Sequence, residues 1–175
     1  MNTYTTALCG TVISILSAIY PIPGVAGLIL LRDKDQSVCS LTAPAPGQTE
    51  KFNLDSPGPC KGVAVRSLEL VELPSATRVL LTDANSCSKE LSNESNRYWI
   101  ELMTRRKSSS LGITEIQNLI NWNAPAMLNA SVQMIGWKLS SGATAPALRD
   151  SLSCIQVTLS KPPEDASSPP SSPSK

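Results

Sequence analysis

The side chains able to do chemistry in this 175-residue chain are few: five cysteines, three tryptophans, fourteen Asp plus Glu and no histidine. Without an imidazole there is no Ser-His-Asp or Cys-His nucleophile pair, no His-ligated zinc, no proximal ligand for haem and no imidazole proton shuttle. Glu69, Glu72 and Glu101 are the carboxylates to weigh for glycoside cleavage, which needs two such groups about 5 Å or about 6.5 to 9.5 Å apart. They fall at alternating positions of strand-like stretches, where outward glutamates are routine, so no catalytic residue is assigned. Trp99, Trp122 and Trp137 can stack on the apolar face of a sugar, although core filling is the commoner use of tryptophan in a chain with 4% aromatic residues. Arg105, Arg106 and Lys107 form the basic triplet, which suits an anionic surface. Three charges on a chain of net charge +1 make a weak field, and nucleic-acid binding is not expected.

The cysteines say more. Cys9 falls in an apolar amino-terminal stretch, which leaves Cys39, Cys60, Cys87 and Cys154 for the folded body. No two of them form a CxxC pair, and no histidine is present to complete a metal site, so two disulfides are the expected use. Four cysteines allow three connectivities. Pairing Cys39 with Cys60 and Cys87 with Cys154 is preferred, because the Pro-rich segment between the first two has little apolar periodicity and gains most from local closure.

The compartment follows from the first 27 residues. An uncharged run broken by Pro21 and Pro23 and followed by small residues is too short to span a bilayer and has the length of a signal peptide, with cleavage expected near Ala26 or Gly27. Its amino end lacks a Lys or Arg, and Leu28 to Leu31 extend the apolar run, so a retained anchor is the competing reading. Residues 161–175, with five prolines among serines, are expected to be disordered and lack the hydrophobic end of a lipid-anchor signal. One domain over residues 28–160 remains. Asn93 and Asn129 begin sequons that would take glycans in a eukaryotic secretory route.

Strand patterning dominates that domain. Residues 67–73 alternate with a slip at Leu70 and Val71 that predicts a bulge, and with residues 77–82 they read as a hairpin across Pro74, Ser75 and Ala76. Residues 97–104, 131–139 and 152–159 read as further strands. Ile113, Ile116, Leu119 and Ile120 have helical spacing, which predicts a two-turn helix ending near Asn121. Short strands, Pro and Gly punctuation and a disulfide framework predict an all-β sandwich with one short helix.

Residues 28–41, with an apolar strand running through Leu28, Ile29, Leu30 and Leu31 into Arg32, Asp33, Lys34 and Asp35 before Cys39, begin a resemblance. With Cys60 to Leu70, and Leu80 to Cys87 before Tyr98 to Leu102, they resemble the β/γ-crystallin-like Greek-key domain of small secreted microbial proteins. The resemblance covers about residues 28–105 and implies a Greek-key β-sandwich. That family's calcium signature departs here, since the matching positions read Gly62, Val63 and Arg66, with Ser67 alone in agreement. Valine offers no oxygen and arginine repels a cation, so calcium is not expected. Asp33, Asp35 and Asp83 read as solvated turn residues, and no cofactor or metal site is assigned.

The function expected from these readings is that of a secreted, non-enzymatic binding or effector-type protein, which meets a protein or cell-surface partner through loops and has no stable membrane insertion after signal removal. The alternative is a secreted carbohydrate-binding or carbohydrate-active module using the Trp and Glu residues above.

Overall fold

The computed structural model describes residues 27–92 and 97–161. The stretch up to Ala26 expected to be a signal segment, the sequon at Asn93 and the tail beyond Lys161 lie outside the described residues. Ten strands run in order: β1 Leu28–Arg32, β2 Val38–Thr42, β3 Thr49–Asn53, β4 Ser67–Leu73, β5 Arg78–Thr82, β6 Tyr98–Thr104, β7 Ser109–Glu115, β8 Ala126–Met127, β9 Val132–Leu139 and β10 Cys154–Thr158. A single helical turn, α1 (Ile116–Leu119), follows β7, and a 3-10 turn (Ala145–Leu148) precedes β10.

The strands form two antiparallel sheets, ordered β2-β1-β4-β7 and β3-β10-β5-β6-β9-β8. Period-two alternation sets their inner faces. Ile29 and Leu31 of β1, Leu41 of β2, and Leu68, Leu70 and Leu73 of β4 meet Val79 and Leu81 of β5, Ile100 and Leu102 of β6, Val132 and Met134 of β9, and Ile155 and Val157 of β10 in one core. The fold is therefore the expected all-β sandwich. Gly27 already belongs to it: its carbonyl accepts the Ala43 amide, and a Cβ there would lie 2.7 Å from the Leu73 backbone.

Two expectations about elements are corrected. Residues 67–73 and 77–82 are not a hairpin: β4 pairs with β1 and β7, while β5 pairs with β10 and β6 in the other sheet. Apolar alternation is the same on both strands, so it cannot say which sheet each joins. The turn decides. Ala76 takes φ 57°, and buried Thr77 donates its amide to Thr104 Oγ1 and its hydroxyl to the Pro74 carbonyl, swinging the chain across the sandwich. The predicted two-turn helix shrinks to α1, because Thr114 and Glu115 are claimed by ladder pairing with Leu68 and Ser67. Only from Ile116 onward does the helical spacing act, burying Ile116 and Leu119. The slip predicted in β4 is present as register shifts between Leu68 and Leu70 and between Leu70 and Leu73, with Glu72 at φ 51°.

Disulfides join Cys39 to Cys60 and Cys87 to Cys154, with Cα separations of 5.5 and 5.3 Å. The first ties the Pro-rich loop after β3 to β2. The second holds the β5–β6 loop against β10, where Lys51 Nζ and Asn53 Nδ2 also donate to the Ser86 and Asn85 carbonyls at 3.1 Å each. The bridges close segments of 21 and 67 residues. By chain entropy, replacing Cys87 and Cys154 with Ser is expected to cost about 4 kcal/mol and replacing Cys39 and Cys60 about 3 kcal/mol. Urea denaturation of the two double variants checks that ranking, and equal losses would contradict it.

Candidate functional site

The sandwich separates the side chains that spacing alone could have grouped. Glu69 lies on the outer face of the four-stranded sheet, where Arg32 donates to it at 2.7 Å. Glu101 lies on the outer face of the six-stranded sheet, with both sheets and the core between the two. Since facing sheets pack about 10 Å apart and each carboxylate points away from the core, they cannot flank one glycosidic bond. Glu72 sits at the β4 irregularity, its amide held by Ser110 Oγ.

Glu101 is instead part of a covered patch. Lys89, carried by the disulfide-pinned loop, donates to it at 2.5 Å, and Arg78 from β5 approaches at 3.6 Å. The Lys89 ammonium also stands 4.9 Å from the centre of the Trp99 ring. That ring lies flat across β9 because position 136 is glycine: a Cβ there would come within 3.0 Å of it. The patch satisfies its charges internally, so its contribution is to fasten the loop over the sheet.

The tryptophans part company in the same way. Trp99 faces outward, whereas Trp137 pairs beside Ile100 and packs against the core. Trp122, on the loop after α1, accepts the Trp137 indole N–H on its carbonyl at 2.9 Å while its own ring stays 47% exposed. Trp122 belongs to a longer feature. The edge strands β7 and β8 lie on one side of the sandwich, where Asn129 Nδ2 and Ser131 Oγ of the β8–β9 turn donate to the Ser110 carbonyl on β7 at 2.8 and 3.1 Å. Ile113 on β7 is 59% exposed, and Met127 on β8 is 46% exposed. Trp122 lies between them in the chain, and the remaining large exposed hydrophobic among the described residues, Val38, is on the far edge strand β2. Helical spacing in the sequence hid this, because it assigns Ile113 to a buried face.

The other expected positions are structural. Asp33 Oδ1 accepts the Asp35 and Ser37 amides at 2.8 and 3.0 Å and shapes the β1–β2 turn. Asp83 accepts the Arg97 and Tyr98 amides at 2.6 and 3.2 Å and anchors the start of β6. Gly62 is in open space at φ 77°, Ser67 is buried in β4, and Arg66 pairs with Asp150 at 2.6 Å, a bond that raises the guanidinium further above its ordinary value. Among the described residues no cluster of three acidic or sulfur side chains could hold a metal ion. No helix among them is long and apolar enough to cross a membrane. Asn129 is exposed, and its Oδ1 accepts the Ser131 and Val132 amides at 2.8 Å each, leaving Nδ2 with a second N–H beyond the one given to Ser110.

Tyr98 is the buried aromatic at the end capped by α1. Burial pushes its phenol above the ordinary tyrosine range, and its hydroxyl lies near Ser151 without a well-formed bond. Below about pH 10 the group is neutral in both folded and unfolded chains; above it only the unfolded chain ionises freely. Stability is therefore expected to fall by about 1 kcal/mol per pH unit above about pH 10. Tyr98→Phe is expected to flatten that decline, checked by urea midpoints at pH 8, 10 and 11, and an unchanged decline would contradict it.

Comparison with protein-family models, curated proteins and solved structures finds no match for this chain.

Proposed function

We propose that this protein is a secreted, non-enzymatic binding protein that recognises its partner through the seam formed by Ile113, Trp122 and Met127. The observation that carries the reading is that three of the four large exposed apolar side chains among the described residues lie on the edge strands β7 and β8 and on the chain that joins them. Large apolar residues gathered on one side of a fold are a form that recognition surfaces take. The seam is also held in place: the Trp137 indole fixes the Trp122 backbone, and Asn129 and Ser131 fix the β8–β9 turn against β7. Two buried disulfides suit an oxidising environment, which supports the secreted reading. A sugar-binding reading has one specific observation in its favour, the half-exposed Trp122 ring beside Trp137.

The test is capture of extracellular components on wild-type protein and on the variant Ile113→Ser/Trp122→Ala/Met127→Ser. These exposed positions each carry about 0.5 kcal/mol of stability or less, so the variant stays folded. A protein retained by wild type and released by the variant is the expected result, and equal retention would overturn the assignment to the seam. On a glycan array, a sugar signal abolished by Trp122→Ala would replace the protein-binding reading with the carbohydrate one.

A further inference from the structure

The two ends of the sandwich differ in charge in a way that the sequence order conceals. Five segments meet at one end: residues 43–48, 74–77, 105–108, 128–131 and 159–161. Backbone and side-chain bonds stitch them together. Gly47 donates to the Leu159 carbonyl, Ala76 to Thr104, and Arg105 to Ser131, while Ser160 Oγ donates to the Ala76 carbonyl. Among the described residues these five segments contain four cations, Arg105, Arg106, Lys107 and Lys161, and no Asp or Glu. At the opposite end the described loop residues include Asp33, Asp35, Asp55, Asp83, Glu90 and Asp150, interleaved with Lys and Arg, so charge there is balanced. The strand ends that feed this end add Glu50 and Glu72, and Arg78, which is engaged with Glu101. Arg105, Arg106 and Lys107 are all exposed and form no ion pair among the described residues.

The same end holds a hollow of about 430 Å³ walled by Pro46, Pro74, Ser75, Leu159, Ser160 and Lys161. It offers hydroxyls and apolar surfaces beside the cationic Arg105 to Lys107 turn, a combination that fits sugar rings carrying anionic groups. We infer that this end is a second binding surface, distinct from the seam, and that its ligand is an anionic polysaccharide: the hollow takes a sugar unit and the Arg105 to Lys107 turn takes neighbouring sulfate or carboxylate groups. An anionic membrane is the rival occupant, and two observations weigh against it. Of the large exposed hydrophobics among the described residues only Met127, at a strand end that feeds this end, lies near it, and one side chain is a weak anchor in an acyl layer. Anionic lipid is also concentrated on cytoplasmic leaflets, whereas the disulfides suit an oxidising space.

The experiment measures binding of the full chain to immobilised heparin, as a sulfated polysaccharide, and to vesicles of phosphatidylserine and phosphatidylcholine, at about 0.15 M salt. Wild type is expected to bind heparin, and Arg105→Ala/Arg106→Ala/Lys107→Ala to bind about tenfold more weakly, because each contacting cation releases condensed counterions. Removing three cations from the other end, with Lys34→Ala/Lys61→Ala/Arg149→Ala, is expected to leave affinity within about twofold. Gln at positions 105, 106 and 107 repeats the test with longer side chains should the alanine variant misfold. Absence of heparin binding by wild type would overturn the inference, as would equal losses in the two triple variants. Vesicle binding that depends on the turn without heparin binding would assign the surface to membranes instead. None of these outcomes bears on the seam variant, so the two surfaces are judged separately.

Discussion

The structure depends on one dry layer of aliphatic side chains between two sheets. With so few aromatics, that layer is built almost wholly from Leu, Ile and Val, and Tyr98 is the bulkiest residue fully enclosed in it. Aliphatic cores of this size leave a small margin over conformational entropy. Both disulfides act where the layer is thinnest. Cys39–Cys60 holds the Pro-rich loop that contributes Leu54, Val65, the cysteine itself and a partly buried Val63 to the interior, and Cys87–Cys154 holds a loop that contributes Ala84 and Cys87.

Covering an outer face changes what that face can do. On the six-stranded sheet the pinned loop leaves Leu80 and Glu101 nearly as buried as the core, although both point away from it. The charged groups there satisfy one another, so that face is spent on holding the loop. Exposed apolar groups are left to the edge strands β7 and β8 and the chain between them, and the exposed cations of the Arg105 to Lys107 turn to one end. The recognition chemistry thus falls where the ladders end and side chains have no neighbour to pair with.

Much of the fold was legible in the sequence and little of the site was. Alternation located β4, β5, β6, β9 and β10 within a residue or two, since each carries inward Leu, Ile or Val at every second position. It overlooked β3, whose Thr49, Glu50 and Lys51 are exposed edge residues with no apolar partner to betray them, and it misplaced Ile113 because a strand feeding directly into a helical turn mixes two periods. The β4–β5 turn was seen but its destination was not, because a change of sheet is set by Thr77 and Thr104, which are distant in the chain. For the same reason Trp99 and Trp137 fall on opposite faces, and the four cations at one end come together from segments as far apart as residues 105 and 161.

The position of β10 bears on how the chain comes to be folded at all. Strand β3 has β10 as its single ladder partner, and the hydroxyls of Thr49 and Thr158 that meet across that ladder are 109 residues apart. A polypeptide emerging amino end first exposes β3 as a bare strand edge until β10 follows, and Cys87 as an unmatched thiol until Cys154 emerges 67 residues later. The larger sheet can be completed only when the last strand arrives. Maturation is therefore a late event, and the growing chain depends on chaperoning or on slow collapse to keep those edges from pairing with a neighbour.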